Sequence, residues 1–350
     1  MRPFALVALV FMGLNASAAD WDNPSERYSD AYKAYLDARC PIPEDGIDHY
    51  VYFARDRDAL RDHPLLTSDR FSGAQIMYSW RELEPQRGDY DFSAIETDLA
   101  YLKAHGKQLF VQLQDTTFYD IYVAAPEYLL SEEFDGGVVQ QYTDEGVSEG
   151  WVTKRWNADV RTRFAAFLTA FGERFDGEIA GINLQETAIG VSNETDPSFT
   201  PEGYVEGLKA NMQALADAFP NSIKLQYANF MPGEWLPWED EGYLRSIYEH
   251  GNNIGVGLAG PDLMVQRKGQ LNHTIAMMHE HQYSVPLGIA IQDGNYIGAT
   301  NSDRIETDRA NLVPLLHAFA EDFMGVSLMF WSNQEPYFSE DVLPCFTAQR

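Results

Sequence analysis

The amino-acid sequence predicts an α/β fold, a single (β/α)8 TIM barrel with an N-terminal helix and a long loop after the third strand. Three observations carry that expectation. Eight short apolar runs are bounded by Gly, Pro, Asn and Asp turn signals, as buried strands are. Most are separated by stretches with apolar residues at helical spacing, an alternation that implies parallel strands joined by right-handed crossovers and, at eight strands, closure. The fourth run, Glu178–Gln185, turns polar at Asn183, Gln185 and Glu186, at the strand end where such barrels carry their chemistry.

Taken in order, residues 1–19 carry Arg2, the apolar run Phe4–Leu14 and then Ala16, Ser17, Ala18 and Ala19, the layout of a secretory signal peptide. Residues 20–350 are then the barrel domain, exported to a secreted or periplasmic location. The apolar run of the signal is shorter than the roughly 20 residues a membrane span needs, and no later stretch is long enough. Asn23 can cap a helix over Pro24–Arg39, where Tyr28, Ala31, Tyr32 and Tyr35 recur at helical spacing over the barrel floor. His49–Arg55 and Gly73–Trp80 are the first two strands. Asp91–His105 is a helix ended by Gly106, and Gln108–Gln114 is the third strand, with Val111 and Leu113 on one face and Gln112 and Gln114 on the other.

Asp115–Trp156 is too long for an ordinary connection, and its tyrosines, tryptophans and Phe118 argue against disorder, so it is expected to wall or cover a site. Ala158–Phe175 is an amphipathic helix whose Val160, Phe164, Phe167, Leu168, Phe171 and Phe175 form a core stripe. The fourth strand follows, then the helix Pro201–Phe219 opened by Thr200, and a fifth strand over Ile223–Phe230. A short helix at Tyr243–Tyr248, a sixth strand at Ile254–Leu258 and a helix at Leu271–His281 come next. The seventh strand, Pro286–Ile291, the helix Asp303–Phe323 and the eighth strand, Val326–Trp331, complete the set.

Charge and cysteine usage narrow the function classes. With 25 Lys and Arg against 53 Asp and Glu the chain carries −28, and −29 once Arg2 leaves with the signal, so nucleic acid and strongly anionic substrates are disfavoured. The two cysteines, Cys40 and Cys345, lie just before the first strand and just after the last. In an oxidising compartment they are expected to form a disulfide that closes nearly the whole chain, with a chain-entropy upper bound of about 4–5 kcal/mol.

Gly255 to Gly260 matches GxGxxG, but the glycines fall within the expected strand and Pro261 and Asp262 follow instead of a helix, so nucleotide binding is not expected. His279 and His281, two apart on a helix, point to different faces and make no metal pair. No HExxH, CxxC or P-loop pattern occurs, and neither metal nor cofactor is expected.

The run Trp80 to Phe92, with Glu84-Pro85 and Gly88-Asp-Tyr-Asp-Phe92, resembles the large clan of retaining (β/α)8 glycoside hydrolases that holds the β-galactosidase-like and cellulase-like families. Ala125-Pro-Glu-Tyr-Leu129, the helix ending in Arg174 and Phe175 ahead of Asn183-Leu-Gln-Glu186, and Trp331 extend the resemblance over most of residues 20–350 in order. It implies an exported glycoside hydrolase, a monomer acting on an oligo- or polysaccharide, with Glu186 as acid/base and Gln185 where the clan has a sugar-binding Asn. The clan's nucleophilic Glu ends the seventh strand, where this chain has Gln292, with Asp293 beside it. An amide cannot form the glycosyl ester. Asp293, Glu335 or Asp115 must then supply the second carboxylate, with retention or inversion open, or the barrel binds carbohydrate without cleaving it. Glu335 is slightly favoured for its reach from the loop after Trp331. Trp80 and Trp331 are expected as sugar-stacking platforms, and Gln114, Asp115, Asn183, Gln185, Tyr227 and Gln292 as further substrate contacts.

Overall fold

The computed structural model describes residues 26–143, 145–292, 295–297 and 309–347. Eight parallel strands close a barrel: β1 (Asp48–Tyr52), β2 (Gly73–Ser79), β3 (Gln108–Gln114), β6 (Gly181–Leu184), β7 (Ile223–Tyr227), β8 (Gly257–Gly260), β9 (Leu287–Ile291) and β10 (Leu328–Ser332), with β10 pairing back onto β1. The two remaining strands, β4 (Val138–Tyr142) and β5 (Ser148–Thr153), form an antiparallel hairpin inside the long loop after β3. No helix among the described residues is long and apolar enough to cross a membrane.

The interior is filled by alternate residues of each strand. Tyr50, Tyr52, Phe110, Leu225, Tyr227, Leu328 and Phe330 form an inner cluster distinct from the larger outer one between sheet and helices. Gly181 makes room for it: a Cβ there would lie 2.5 Å from the Phe110 ring. Inward polar groups pair with one another, Gln75 Nε2 donating to both Asn183 Oδ1 and the Tyr227 hydroxyl at 2.9 Å. The pairing offsets part of the cost of burying these groups, although Gln75 Oε1 has no hydrogen-bond partner among the described residues.

After the short helices α1 (Trp80–Leu83) and α2 (Ser93–Ala104), helix α3 (Ala158–Phe175) starts where expected because Asn157 accepts from the backbone N–H groups of Asp159 and Val160, a cap worth about 1 kcal/mol. Its predicted apolar stripe is buried throughout, and each fully buried Phe contributes on the order of 1.5–3 kcal/mol. Thr200 caps α4 (Pro201–Ala218) with Pro201 in its first turn. In α4, Gly207 lets the helix close onto the Arg155 backbone, since a Cβ would meet the Arg155 carbonyl oxygen at 2.2 Å.

Several boundaries differ from expectation. The N-terminal helix is, among the described residues, a 3-10 helix over Ala31–Tyr35, preceded by Tyr28 at φ 60°. Tyr28 instead packs edge-on against His279 and Phe323, so tertiary contacts set this segment's path along the outer helices. The sixth barrel strand begins later than predicted, because Ile254 ends helix α5 (Tyr243–Ile254) and Gly255, at φ 78°, caps it. Of the three glycines of the GxGxxG run, only Gly257 and Gly260 are strand residues. The single helix expected at Leu271–His281 is two short ones, Lys268–Asn272 and Thr274–Glu280, broken at His273.

Cys40 and Cys345 are joined as expected, with Cα atoms 4.7 Å apart, and the Ile42 N–H donates to the Cys345 carbonyl alongside. Next to this closure Asp45 Oδ2 accepts from His49 Nε2 at 3.2 Å and from His317 Nε2 at 2.9 Å. Trp331 Nε1 donates to His49 Nδ1 at 3.1 Å, which fixes the His49 proton on Nε2. Three potential ligand groups therefore meet here, yet the His49 lone pair a metal would need is already taken. Trp331 thus belongs to the outer layer: its neighbour Phe330 faces the barrel interior, and by the two-residue period of a strand Trp331 faces away from it.

Candidate active site

At the C-terminal mouth of the barrel a cleft of about 420 Å³ is lined by Glu186, Asn229 and Asp262 at its base. Each follows a barrel strand directly: Glu186 after β6, Asn229 two residues beyond β7, and Asp262 two residues beyond β8. The long loop supplies one wall, with Phe118, Tyr142 and Glu149, and the loop after β7 supplies the other, with Phe230 and Trp235 stacked at 6.0 Å.

The Glu186 carboxyl is held from both ends. Its Oε2 accepts from Asn229 Nδ2 at 2.6 Å, and Asn229 is oriented in turn because its Oδ1 accepts from the Ala188 N–H at 3.2 Å. Its backbone carbonyl accepts from Arg155 Nη1 at 2.8 Å. Arg155 itself is buried and forked onto Asp115, with Nε–Oδ2 at 2.8 Å and Nη2–Oδ1 at 2.6 Å. Arg155 also donates to the Tyr204 hydroxyl, which donates onward to the Thr187 carbonyl at 2.9 Å. A bidentate buried pair of this kind fixes the turn that carries Glu186.

Electrostatics separate the two carboxyls. Burial, reinforced by the charge of Asp262, pushes the Glu186 carboxyl up to about 8, against the opposing pull of the Asn229 bond and Arg155. Burial also raises Asp262, but Asn295 Nδ2 donates to its Oδ1 at 2.8 Å and Arg267 favours its charge, both acting to keep it ionisable. At neutral pH Glu186 is protonated, while Asn295 and Arg267 favour charge on Asp262 against its burial. Two carboxyls whose surroundings push them to different protonation states can divide donor and acceptor work between them.

The other expected site residues have different fates. Asn183 and Tyr227 lie inside the barrel below the cleft, tied to Gln75. Gln114 accepts from Arg55 and from the Tyr122 hydroxyl, both at 2.9 Å. Gln185 borders a small void with Phe164 and Leu208 and does not line the cleft. Asp115 is consumed by Arg155, which bonds both of its carboxylate oxygens. Gln292 ends beside the Asn295 turn, its N–H donating to Asn295 Oδ1, without lining the cleft. Asp293 lies outside the described residues. Glu335 is exposed and accepts from the backbone and hydroxyl of Ser339, capping the turn that follows instead of facing Glu186. Trp80 is fully buried, its Nε1 bonded to Glu84 at 2.7 Å and its ring edge-on to Phe164, so it offers no face to a sugar. Trp331 is equally closed off in the outer layer.

Asp262 and Asn229 are the residues the sequence reading missed. Each is a polar residue just past an apolar run, the same signal that marked Glu186.

No family model matches the chain, and no curated protein does. Among solved structures, it is similar to an endo-glycoceramidase II from Rhodococcus sp. in a cellobiose-like imidazole complex, at 13% identity over 82% of this chain and 73% of that one, TM-score 0.49. It is also similar to the catalytic domain of a β-amylase from Paenibacillus polymyxa, at 12% identity over 82% of this chain and 86% of that one, TM-score 0.44. A β-glycosidase matches at 12% identity over 84% of this chain and 87% of that one, TM-score 0.46. The fold assignment itself stands on the closed eight-stranded barrel.

Proposed function

We propose that this protein is an exported glycoside hydrolase that cleaves an oligo- or polysaccharide with Glu186 as the proton donor and Asp262 as the carboxylate partner. The observation that carries the reading is the pair itself, a protonated Glu186 and an Asp262 that accepts from Asn295, both half-buried at the mouth of an aromatic-lined cleft. As the bond from the anomeric carbon to the glycosidic oxygen breaks, Glu186 gives its proton to the leaving oxygen. Asp262 either adds to the anomeric carbon as a glycosyl ester, later hydrolysed, or takes the proton of a water that adds there. The anomeric configuration of the product distinguishes the two. Trp235, 41% exposed and backed by Phe230, suits the apolar face of a pyranose ring. The disulfide and the signal-like residues 1–19 support export.

The test is a hydrolysis screen over neutral α- and β-linked glycans with product anomer analysis, run on the native protein and on Glu186→Gln. Hydrolysis lost in Glu186→Gln supports the reading. Glycan binding with no hydrolysis by the native protein would replace it with a carbohydrate-binding barrel, and unchanged hydrolysis in Glu186→Gln would overturn the assignment of the acid.

A further inference from the structure

The two carboxyls of the cleft are held in the same way. Asn229 Nδ2 donates to Glu186 Oε2 at 2.6 Å, and Asn229 Oδ1 accepts from the Ala188 N–H at 3.2 Å. Asn295 Nδ2 donates to Asp262 Oδ1 at 2.8 Å, and Asn295 Oδ1 accepts from the Gln292 N–H at 3.0 Å. In both, a backbone N–H calls for the amide oxygen, which turns the NH2 group to the carboxyl. Each carboxyl is left with one oxygen outside the clamp, Oε1 of Glu186 and Oδ2 of Asp262.

Asn295 is itself immobilised. It is fully buried, and its N–H donates to the Gln292 carbonyl at 3.1 Å, closing a turn at the end of β9. The adjacent Tyr296 ties this turn to β10, its hydroxyl donating to the Ser332 carbonyl at 3.2 Å and its ring stacking on Tyr337 at 5.5 Å. On the other side the backbone of Asp262 pairs with Ile291, the last residue of β9, in an isolated antiparallel bridge. The ends of three neighbouring strands, β8, β9 and β10, are thereby stitched together around one carboxyl. An amide fixed at both ends has little freedom left to lose when substrate binds, so its hold on the carboxyl is in place before the reaction.

The charges that face Asp262 come from several elements. Among the described residues Glu186 faces it from the loop after β6, the Tyr227 hydroxyl from β7 and Arg267 from the loop after β8, and Glu145 and Glu149 line the same cleft from the hairpin. Burial raises the Asp262 carboxyl, and the Asn295 bond is the first influence against it, with Arg267 second. Arg267 acts through charge, whereas Asn295 acts through a directed bond to one of the two oxygens.

We infer that Asn295 is a positioning residue for the reaction in the Glu186 cleft: it fixes Asp262 through Oδ1 and leaves Oδ2 as the oxygen that meets the anomeric carbon or the attacking water. This rests on the reading of that cleft as a glycosidase site. Gln292, which ends the seventh barrel strand where the resembling clan carries its nucleophile, then serves through its backbone, as the seat of Asn295. The carboxylate stands one strand away, past the end of β8.

The discriminating variant is Asn295→Asp. A carboxylate at this position keeps an acceptor for the Gln292 N–H, and so the turn, but replaces the donor to Asp262 with an acceptor of like charge. The full-length native protein, Asn295→Asp and Asn295→Ala are compared by the pH dependence of kcat and KM on a glycan cleaved in the screen. Carbon-detected NMR of labelled aspartate carboxyls, with Asp262→Asn to assign the signal, follows Asp262 directly. In both variants kcat is expected to fall about tenfold or more with KM within about twofold of native. The acid limb should move up by about one pH unit and the Asp262 titration with it, because the bond that favours the charged form is gone. Asn229→Ala, which frees the other carboxyl, should leave the acid limb in place. Crystals of Glu186→Gln soaked in the same glycan give a readout that needs no change at Asn295, with Asp262 Oδ2 expected nearest the anomeric carbon.

An acid limb and an Asp262 titration that stay in place in folded Asn295→Asp, or Oδ1 nearest the anomeric carbon, would overturn the inference and leave the glycosidase reading intact. If Asn295→Asp does not fold, Asn295→Ala and the soaked crystals decide by the same criteria. A native protein that hydrolyses no glycan would instead remove the reading of the cleft, and the role of Asn295 in its reaction with it.

Discussion

The side-chain amide of Asn229 donates to Glu186 Oε2 across 2.6 Å, and this bond opposes the burial that pushes the Glu186 carboxyl up to about 8. It favours the charged form, so its removal must raise the Glu186 pKa further. Asn229→Ala is expected to move the alkaline limb of the kcat/KM profile above about 8 and to lower the maximum about tenfold through looser positioning. Glu186→Gln should cost about 10²–10⁴-fold in kcat while glycan binding survives. An alkaline limb that stays in place in Asn229→Ala would detach it from Glu186.

Asp262 acts in the opposite sense, since its charge raises Glu186. In Asp262→Asn the Glu186 pKa should fall, read directly by carbon-detected NMR of labelled glutamate carboxyls. Activity should drop by at least about 10²-fold because the carboxylate partner is gone. In the native protein, loss of activity on acidification should reflect protonation of Asp262, so the profile is bell-shaped. Glu335→Gln serves as the contrast: a capping carboxylate at Ser339 should leave kcat/KM within about twofold of native and change stability by well under about 1 kcal/mol. Activity retained in Asp262→Asn and lost in Glu335→Gln would reverse the pairing.

The Arg155–Asp115 fork stands behind the Glu186 turn. Arg155→Met strands a buried carboxylate and should destabilise by about 3–5 kcal/mol, measured by urea unfolding. The double variant Arg155→Met/Asp115→Leu removes both charges and should recover much of that loss. It still lacks the donor to the Glu186 carbonyl, so kcat should remain depressed about tenfold or more while stability returns. Recovery of both together would make the fork purely structural.

Legibility in the sequence followed burial geometry. The α3 stripe and the Gln112/Gln114 alternation in β3 were readable because one face is apolar and the other polar, and both boundaries came out as expected. The barrel strands β8 and β10 are apolar on both faces, so periodicity could not say which side looks inward, and Trp331, expected as a sugar-stacking platform, lies in the outer layer. The strand ends were harder still. Running the fifth barrel strand on to Phe230 placed Asn229 within it, whereas β7 ends at Tyr227 and leaves Asn229 two residues past the mouth. Ending the sixth at Leu258 put Asp262 four residues out in a loop, whereas β8 runs to Gly260 and leaves it two residues away. Shifts of three and two residues in these strand ends hid two groups that line the cleft with Glu186. Glu84, buried and bonded to Trp80 and Arg163, shows the same limit for a motif: the Glu-Pro turn was seen, but its carboxylate serves packing.

Acid should unfold the protein through the cluster beside the disulfide. Burial alone would raise Asp45, but bonds from His49, the Ile47 N–H and His317 outweigh it and hold the carboxyl well below the usual range. A folded-state pKa depressed in this way contributes stability that is fully present above the unfolded value of about 3.9 and is lost as pH falls through it. His317 is depressed by burial and by His49, despite Asp45, so the unfolded chain takes up its proton first, and stability begins to fall below about 6.5. The two groups predict a decline in two stages, shallow from about pH 6.5 and steeper below about pH 4. Asp45→Asn should lower stability at pH 7 by about 1–3 kcal/mol and flatten the lower stage, and His317→Gln should reduce the upper one, to which the buried His63 and His273 also contribute. Thermal unfolding followed from pH 3 to pH 8, with the Cys40–Cys345 bond intact, measures both; an Asp45→Asn curve parallel to the native one below pH 4 would remove Asp45 from the account.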